Sequence, residues 1–344
     1  MTVRHRNGAY PIVFADHEDV LAELPTDSVI VTDENLALAY NEALARFNRK
    51  LILPPGEESK SFATYQTVLQ WLAEMGVKRS EQIVAFGGGV IGDLVGFVAA
   101  TYMRGIGFVQ IPTSLLAMVD SSIGGKVGID LPQGKNLVGA FKPPSAVYIC
   151  LDLISSLPDR QFVNGMGEVL KYGFIMDKDL AKELHHSPVT ATDSRLKKIV
   201  ERCLRHKASV VERDEFETSG LRAILNFGHT VGHAVEKVLE YRDLLHGEAI
   251  SAGMVVEAAV SEKVGLAPIG TLASVEETLL AHKLPVKIPK GLNLDQVLQA
   301  MLLDKKRTTE GIAMSLLTGL GSCKLITSVD SDMILTSLHE YAQT

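Results

Sequence analysis

QIVAFGGGVIGDLVGFVAATY, residues 82–102, reads as a buried strand, a glycine turn and a helix. Gly87, Gly89 and Gly92 fit G-x-G-x-x-G, with Gly88 between the first two. Without Cβ atoms, the amides at such a helix start can approach a pyrophosphate closely. Glycine turns also serve plain strand–helix packing, and no acidic residue stands about 20 positions on, where the dinucleotide fingerprint has one. Context strengthens the functional reading. TDENL (32–36) and PGEESKS (55–61) are polar segments that also follow strands. In an open α/β sheet, three such loops meet at the ligand crevice. A dinucleotide is the expected ligand.

Outward from this turn, SVIVT (28–32) and AVYIC (146–150) read as strands, and NLALAYNEALARF (35–47) and FATYQTVLQWLAEMG (62–76) as helices. That alternation implies βαβ units and a mostly parallel sheet. Residues 111–147 read as a long loop-rich region; their five glycines and four prolines suit a functional loop. After Leu157 the texture turns helical, apart from a small hairpin expected from GIAMSLL and SCKLIT. The expected architecture is α/β plus all-α. A Rossmann-like nucleotide-binding domain (1–153) precedes a helical metal- and substrate-binding domain (154–344), with the join near Leu151–Leu157.

A chain of 344 residues is long enough to expect two cores. The net charge of -7 argues against a general nucleic-acid binder, so any bound anion needs a local cationic pocket. No stretch approaches the roughly 18 apolar residues of a spanning helix, and no basic start leads into an apolar run. Neither a membrane nor a nucleic-acid partner is expected. Cys150, Cys203 and Cys323 are scattered and odd in number, which suits thiols in a reducing cytosol.

The helical half carries the metal candidates. LNFGHTVGHAVE (225–236) places His229 and His233 one helical turn apart, but Thr230 stands where a zincin has its Glu. Glu168 in NGMGEVLKYG and His246 in LLHGEAISAG complete a set of one carboxylate and imidazoles, the donors of a catalytic divalent metal, zinc most readily. A lone histidine is more often a helix-end or surface residue, yet three within eighteen residues among glycines are less easily dismissed. Glu248 competes as a ligand on spacing alone. Lys126 and Lys135 lie among glycines with the neutral Asn136, and further cations are Lys171 after Glu168, then Lys207, Arg222 and Lys305. Most lysines are merely solvated, but these placements favour a strongly anionic substrate. Arginine suits carboxylate and lysine phosphate.

The segments GEESKS, GGGVIGDLVGF, YMRG, IPTSLLAMVDSSIGGKVGID, GKNLVGAF, NGMGEVLKYG, LRAILNFGHTVGHAVE, LHGEAISAGM and LLDKK resemble those of the 3-dehydroquinate synthases, within the sugar phosphate cyclases. They run in family order from about residue 56 to 306. The resemblance implies Glu168, His229 and His246 as ligands to zinc or cobalt, and His233 as a phosphate contact. It implies NAD met by Glu57, Lys60, Gly87, Gly88, Gly89, Asp93, Thr113, Ser114 and Asp120, with Lys126 and Lys135 also near cofactor. Lys126, Lys135, Asn136, Lys171, Lys207, Arg222, Asn226 and Lys305 match substrate-contacting positions. Arg104 matches an arginine that reaches a neighbouring subunit's site, so a homodimer is implied.

The implied reaction turns 3-deoxy-D-arabino-heptulosonate 7-phosphate into 3-dehydroquinate and phosphate. It proceeds by transient oxidation, phosphate elimination, re-reduction and intramolecular aldol closure. The sequence departs from the family in small ways: Ser114 in place of a second Thr, Val127 in place of Thr, and Gly167 where Ala is common. RDEFETSGLR holds one extra residue between Lys207 and Arg222. The rivals are another sugar phosphate cyclase, an NAD-dependent polyol dehydrogenase and a non-catalytic nucleotide-binding regulator. Against a cyclase with an uncarboxylated substrate, Lys207 and Arg222 would be left with uncompensated charge.

Overall fold

A computed structural model describes residues 1–303, 307–308 and 311–343. Contacts divide the chain into two compact units. The first is Met1–Phe162 with Lys207–Phe216, and the second is Val163–His206 with Glu217–Thr344.

The first unit holds β1 (Thr2–His5), β2 (Gly8–Phe14), α1 (His17–Glu23), β3 (Val29–Asp33), α2 (Glu34–Ala39), α3 (Asn41–Ala45), β4 (Arg49–Leu53) and α4 (Phe62–Glu74). Then follow β5 (Gln82–Gly87), α5 (Gly89–Thr101), β6 (Gly107–Pro112), β7 (Lys126–Leu131), β8 (Gly134–Phe141) and β9 (Ala146–Ile149). Seven strands form one sheet in the order β1-β2-β9-β6-β5-β3-β4. All pairings are parallel except β1 with β2. The chain leaves β3 for the edge strand β4, then returns past β3 to β5. That reversal is a topological switch point, where open α/β sheets bind ligands beyond the strand ends. The loops after β3, β4 and β5 therefore leave one end of adjacent strands, as the sequence suggests. Val29, Val31, Ile83, Ala85, Leu94, Val95 and Phe108 build the core between sheet and helices.

Two expectations change here. The helix read over 35–47 is broken at Tyr40, whose φ of -118° and ψ of 31° lie outside the helical region, giving α2 and α3. The loop read over 111–147 contains an antiparallel hairpin, β7 with β8, that pairs Gly128 with Gly139. A Cβ at Gly128 would stand 2.6 Å from the Val138 carbonyl oxygen, and one at Gly139 would stand 2.3 Å from that of Val127. Glycine here permits close strand approach rather than a loop.

The second unit carries α6 (Asp159–Met176), most of which lies in it, then α7 (Lys178–His186), α8 (Leu196–Val211), α9 (His229–Val238), α10 (His246–Lys263), α11 (Thr271–Ala281) and α12 (Leu294–Leu303). After β10 (Arg307–Thr308) come β11 (Gly311–Gly319), β12 (Ser322–Val329) and α13 (Ser331–Glu340). β11 and β12 form the expected hairpin. The unit division falls within α6 and α8, so Lys207 at the end of α8 belongs to the first unit. Val231, Ala234 and Val235 of α9 enter the second core with Val256 and Val260 of α10. Those α9 positions lie on the face opposite His229, His233 and Glu236, which recur at helical spacing. Burying one side of α9 thus fixes the other as a polar stripe.

Candidate active site

In the second unit, glycines let three helices approach closely enough to share a centre. A Cβ at Gly247 of α10 would stand 1.9 Å from the Asn164 carbonyl oxygen of α6, and one at Gly167 would stand 2.9 Å from the Gly247 oxygen. These glycines adjoin His246 and Glu168, so the closest helix contact brings the two candidate ligands together. Across the other pair, a Cβ at Gly253 of α10 would stand 2.1 Å from the Gly228 oxygen. Gly228 itself takes the left-handed φ of 80° that glycine accepts without strain, and opens α9. It offers no side-chain cap. The buried Glu257 of α10 supplies one: its carboxylate accepts from Gly228 N at 2.8 Å and Val231 N at 3.2 Å.

The result is a tight donor cluster. Glu168 is 1% exposed; its Oε1 lies 3.2 Å from His229 Nε2 and 3.5 Å from His246 Nε2. Lys171 Nζ, one turn along α6, pairs with Oε2. Burial opposes the Glu168 charge, but Lys171 and the two imidazoles outweigh it and hold the carboxyl well below its ordinary range. Neither carboxylate oxygen accepts a well-formed hydrogen bond. An anion this deeply buried needs close cationic compensation. A divalent ion between Glu168, His229 and His246 would give it that, so the donor set fits a metal. His229 Nδ1 donates to the Phe227 carbonyl at 3.2 Å, which leaves Nε2 as the free lone pair.

His233 enters a second possible set. Ligand nitrogens of His229, His233 and His246 all lie within 4.8 Å of one another. Two three-donor sets thus share His229 and His246, and differ in Glu168 or His233. His233 is exposed whereas Glu168 is buried, which favours the carboxylate as the charge-matching ligand. Glu248 is engaged elsewhere: its Oε2 accepts from Leu245 N at 2.8 Å, capping α10. Arg222 is buried with Nε 3.8 Å from Glu217 Oε1, while Asn226 closes the same short 3-10 turn, Leu221–Asn226.

In the first unit, Gly87 ends β5 and Gly88 caps α5 without any side-chain hydrogen bond. The first amides of that helix are therefore uncovered by a capping side chain. A Cβ at Gly88 would lie 3.5 Å from Ser114 Oγ, and one at Gly89 would lie 3.1 Å from Ser121 Oγ, so side chains would fill the cradle. A pyrophosphate fits this end by charge and by space. Thr113 N donates to the Gly87 oxygen at 3.0 Å, and Ser114 Oγ accepts from Ala117 N at 3.3 Å. Lys60 is 5% exposed, with Nζ 2.6 Å from Asp93 and 2.5 Å from Asn136 Oδ1. Burial disfavours its charge, yet Asp93 and Glu57 outweigh that and raise its pKa above the usual lysine value. Lys207 Nζ stands 2.8 Å from Asp120 Oδ2 and 2.6 Å from its carbonyl oxygen. Its charge is compensated within the protein, which removes it from the argument against an uncarboxylated substrate. Lys126 opens β7 and Lys135 lies on β8. Arg104 is exposed and follows Met103; both adopt left-handed φ, 63° and 50°. Lys305 and Lys306 lie outside the described residues.

Sequence reasoning missed Glu236, Glu257 and Asn164. Glu236 was legible as the third member of the α9 stripe, seven after His229. Glu257, and Asn164 whose Oδ1 accepts from Gly247 N, act across helices and leave no local pattern.

This architecture is that of the sugar phosphate cyclases. The structure superposes on a 2-epi-5-epi-valiolone synthase from Streptomyces hygroscopicus subsp. jinggangensis 5008, solved with NAD+ and Zn2+ bound, with a TM-score of 0.89, 25% identity and 98% of each chain covered. It superposes on a 2-deoxy-scyllo-inosose synthase complexed with carbaglucose-6-phosphate, NAD+ and Co2+ with a TM-score of 0.86, 26% identity and 99% of each chain covered. In sequence, family models for the N-terminal and C-terminal parts of 3-dehydroquinate synthase match residues 50–164 and 165–307. A 3-dehydroquinate synthase from Opitutus terrae is 44% identical over 319 residues, 89% of this chain and 88% of that protein. The chain belongs to the 3-dehydroquinate synthase family.

Proposed function

We propose that the chain converts 3-deoxy-D-arabino-heptulosonate 7-phosphate to 3-dehydroquinate and phosphate, acting as a carbon–oxygen lyase of the shikimate pathway. The observation that carries this reading is the buried Glu168 with the Nε2 atoms of His229 and His246 gathered at one oxygen, in a chain of this family. Glu168, His229 and His246 hold a divalent metal, zinc or cobalt. The amides after Gly88, with Thr113, Ser114 and Asp120, hold NAD. When bound, NAD supplies a reversible hydride acceptor and the metal a Lewis acid for the substrate hydroxyls.

The chain's own groups do the rest. His229 keeps its proton on Nδ1, against Phe227, and so presents Nε2 as a donor. Lys171 holds Glu168 ionised. His233, exposed and one turn from His229, contacts the leaving phosphate, and Lys126, Lys135, Arg222, Asn226 and Lys305 contact substrate. Lys60, bound to Asp93 and Asn136, braces the cofactor loop. Holding the reacting groups in place supplies several kcal/mol, up to about 7–11 in favourable cases. The enzyme works in the cytoplasm as a homodimer, with Arg104 completing the partner's site. No helix among the described residues is long and apolar enough to cross a membrane.

The test is incubation with the heptulosonate phosphate, NAD+ and Zn2+, following phosphate, carbocycle and nicotinamide absorbance together. Phosphate and 3-dehydroquinate should rise in equal amounts with no steady NADH. Accumulating NADH without phosphate release would make the protein a polyol dehydrogenase instead.

A further inference from the structure

The two imidazoles that face Glu168 are held from behind by different groups. His229 Nδ1 leans on a neutral backbone carbonyl, that of Phe227, at 3.2 Å. His246 Nδ1 leans on a carboxylate, with Glu236 Oε2 at 3.5 Å. Glu236 is 2% exposed, whereas the His246 side chain is 28% exposed, so a buried carboxylate faces a half-buried ring. It sits on α9 seven residues after His229, on the same helical face. His246 opens α10, so its ring lies between Glu168 of α6 on its Nε2 side and Glu236 of α9 on its Nδ1 side.

We propose that Glu236 is a positioning residue that fixes the ring orientation and tautomer of His246 and raises its donor strength toward a divalent ion. The proposal rests on the assignment of Glu168, His229 and His246 as ligands, and deepens it. With Glu236 3.5 Å behind Nδ1, the ring proton is favoured on that side, which leaves Nε2 for the metal. The anion behind the ring also stabilises positive charge drawn onto the imidazole as the metal is bound. Outer carboxylates of this kind alter metal affinity by about 10–100-fold when removed. Glu236 therefore gives the two ligands unequal backing: a carboxylate behind His246 and a neutral carbonyl behind His229.

The test measures Co2+ affinity by chelator competition, and the Co2+ visible absorption spectrum, on wild type, Glu236→Gln, Glu236→Ala and His246→Ala. Glu236→Gln keeps the side chain's shape and an acceptor oxygen but removes the charge. It should weaken binding about tenfold, with shifted bands, while the metal-free protein melts near the wild-type temperature. Glu236→Ala should weaken binding further, toward about a hundredfold. Wild-type affinity and spectrum in Glu236→Gln would overturn the proposal, whether or not Glu236→Ala folds. If wild type binds Co2+ and His246→Ala binds it equally well, the ligand assignment itself falls, and the role of Glu236 with it.

Discussion

The two units place buried charge in opposite ways. In the first, Lys60 lies against Asp93 and Asn136, and Lys207 against Asp120, so each cation has an anionic or polar partner from the same unit. In the second, Glu168 is buried with one lysine and two imidazole nitrogens around it, and neither oxygen makes a well-formed hydrogen bond. The first cluster is neutralised by its own side chains, whereas the second gathers the donors that we propose hold a divalent cation.

The largest effect that would break the contrast is steric. Gly247→Ala sets a methyl 1.9 Å from the Asn164 oxygen, backbone against backbone, where no rotamer change relieves it. It should cost about 3 kcal/mol or more and scatter the ligands. Thermal melting would show it, and Gly167→Ala, at 2.9 Å, should be milder. Next, His229→Ala should lose at least about a hundredfold in metal affinity and lose turnover. Equilibrium dialysis of zinc checks the first and phosphate release the second.

Metal and charge can then be separated. Lys60→Met leaves Asp93 without its cation and should cost about 3 kcal/mol, yet saturating zinc should still raise its melting temperature. At a hundredfold over Kd that stabilisation is about 2.7 kcal/mol. Glu168→Gln should lose most of this zinc-dependent rise. The smallest effect lies away from both clusters. Burial would raise the Asp177 pKa, but hydrogen bonds from Arg202, His206 and the Leu180 amide outweigh it and bring it down to about 2, from an ordinary 3.8. Its folded pKa is depressed, so its contribution is present above about pH 4 and fades toward pH 2. After solvent screening this is about 1 kcal/mol, and Asp177→Asn should flatten that part of an acid-unfolding curve.

Much of this was legible in the sequence because the signals are local. The β5–α5 glycine turn, the α9 histidines one turn apart and the glycines beside Glu168 and His246 each sit in a single short segment. What was not legible depends on long-range approach. The β7–β8 hairpin hid in a glycine-rich stretch because Gly128 and Gly139 serve strand contact across the pair. The pairing of Lys207 with Asp120 spans 87 residues, so its cation read as open to substrate. The Glu257 cap on α9 comes from another helix. Glu236 was visible in the stripe but carried no meaning until His246 was placed beside it.

The central claim is that Glu168, His229 and His246, not the three histidines, hold the ion. X-ray absorption of the zinc-loaded protein and its His233→Ala variant tests it most directly. Two imidazole ligands with oxygen donors, unchanged in the variant, is the expected result. Three imidazoles in wild type, falling to two in His233→Ala, would contradict it.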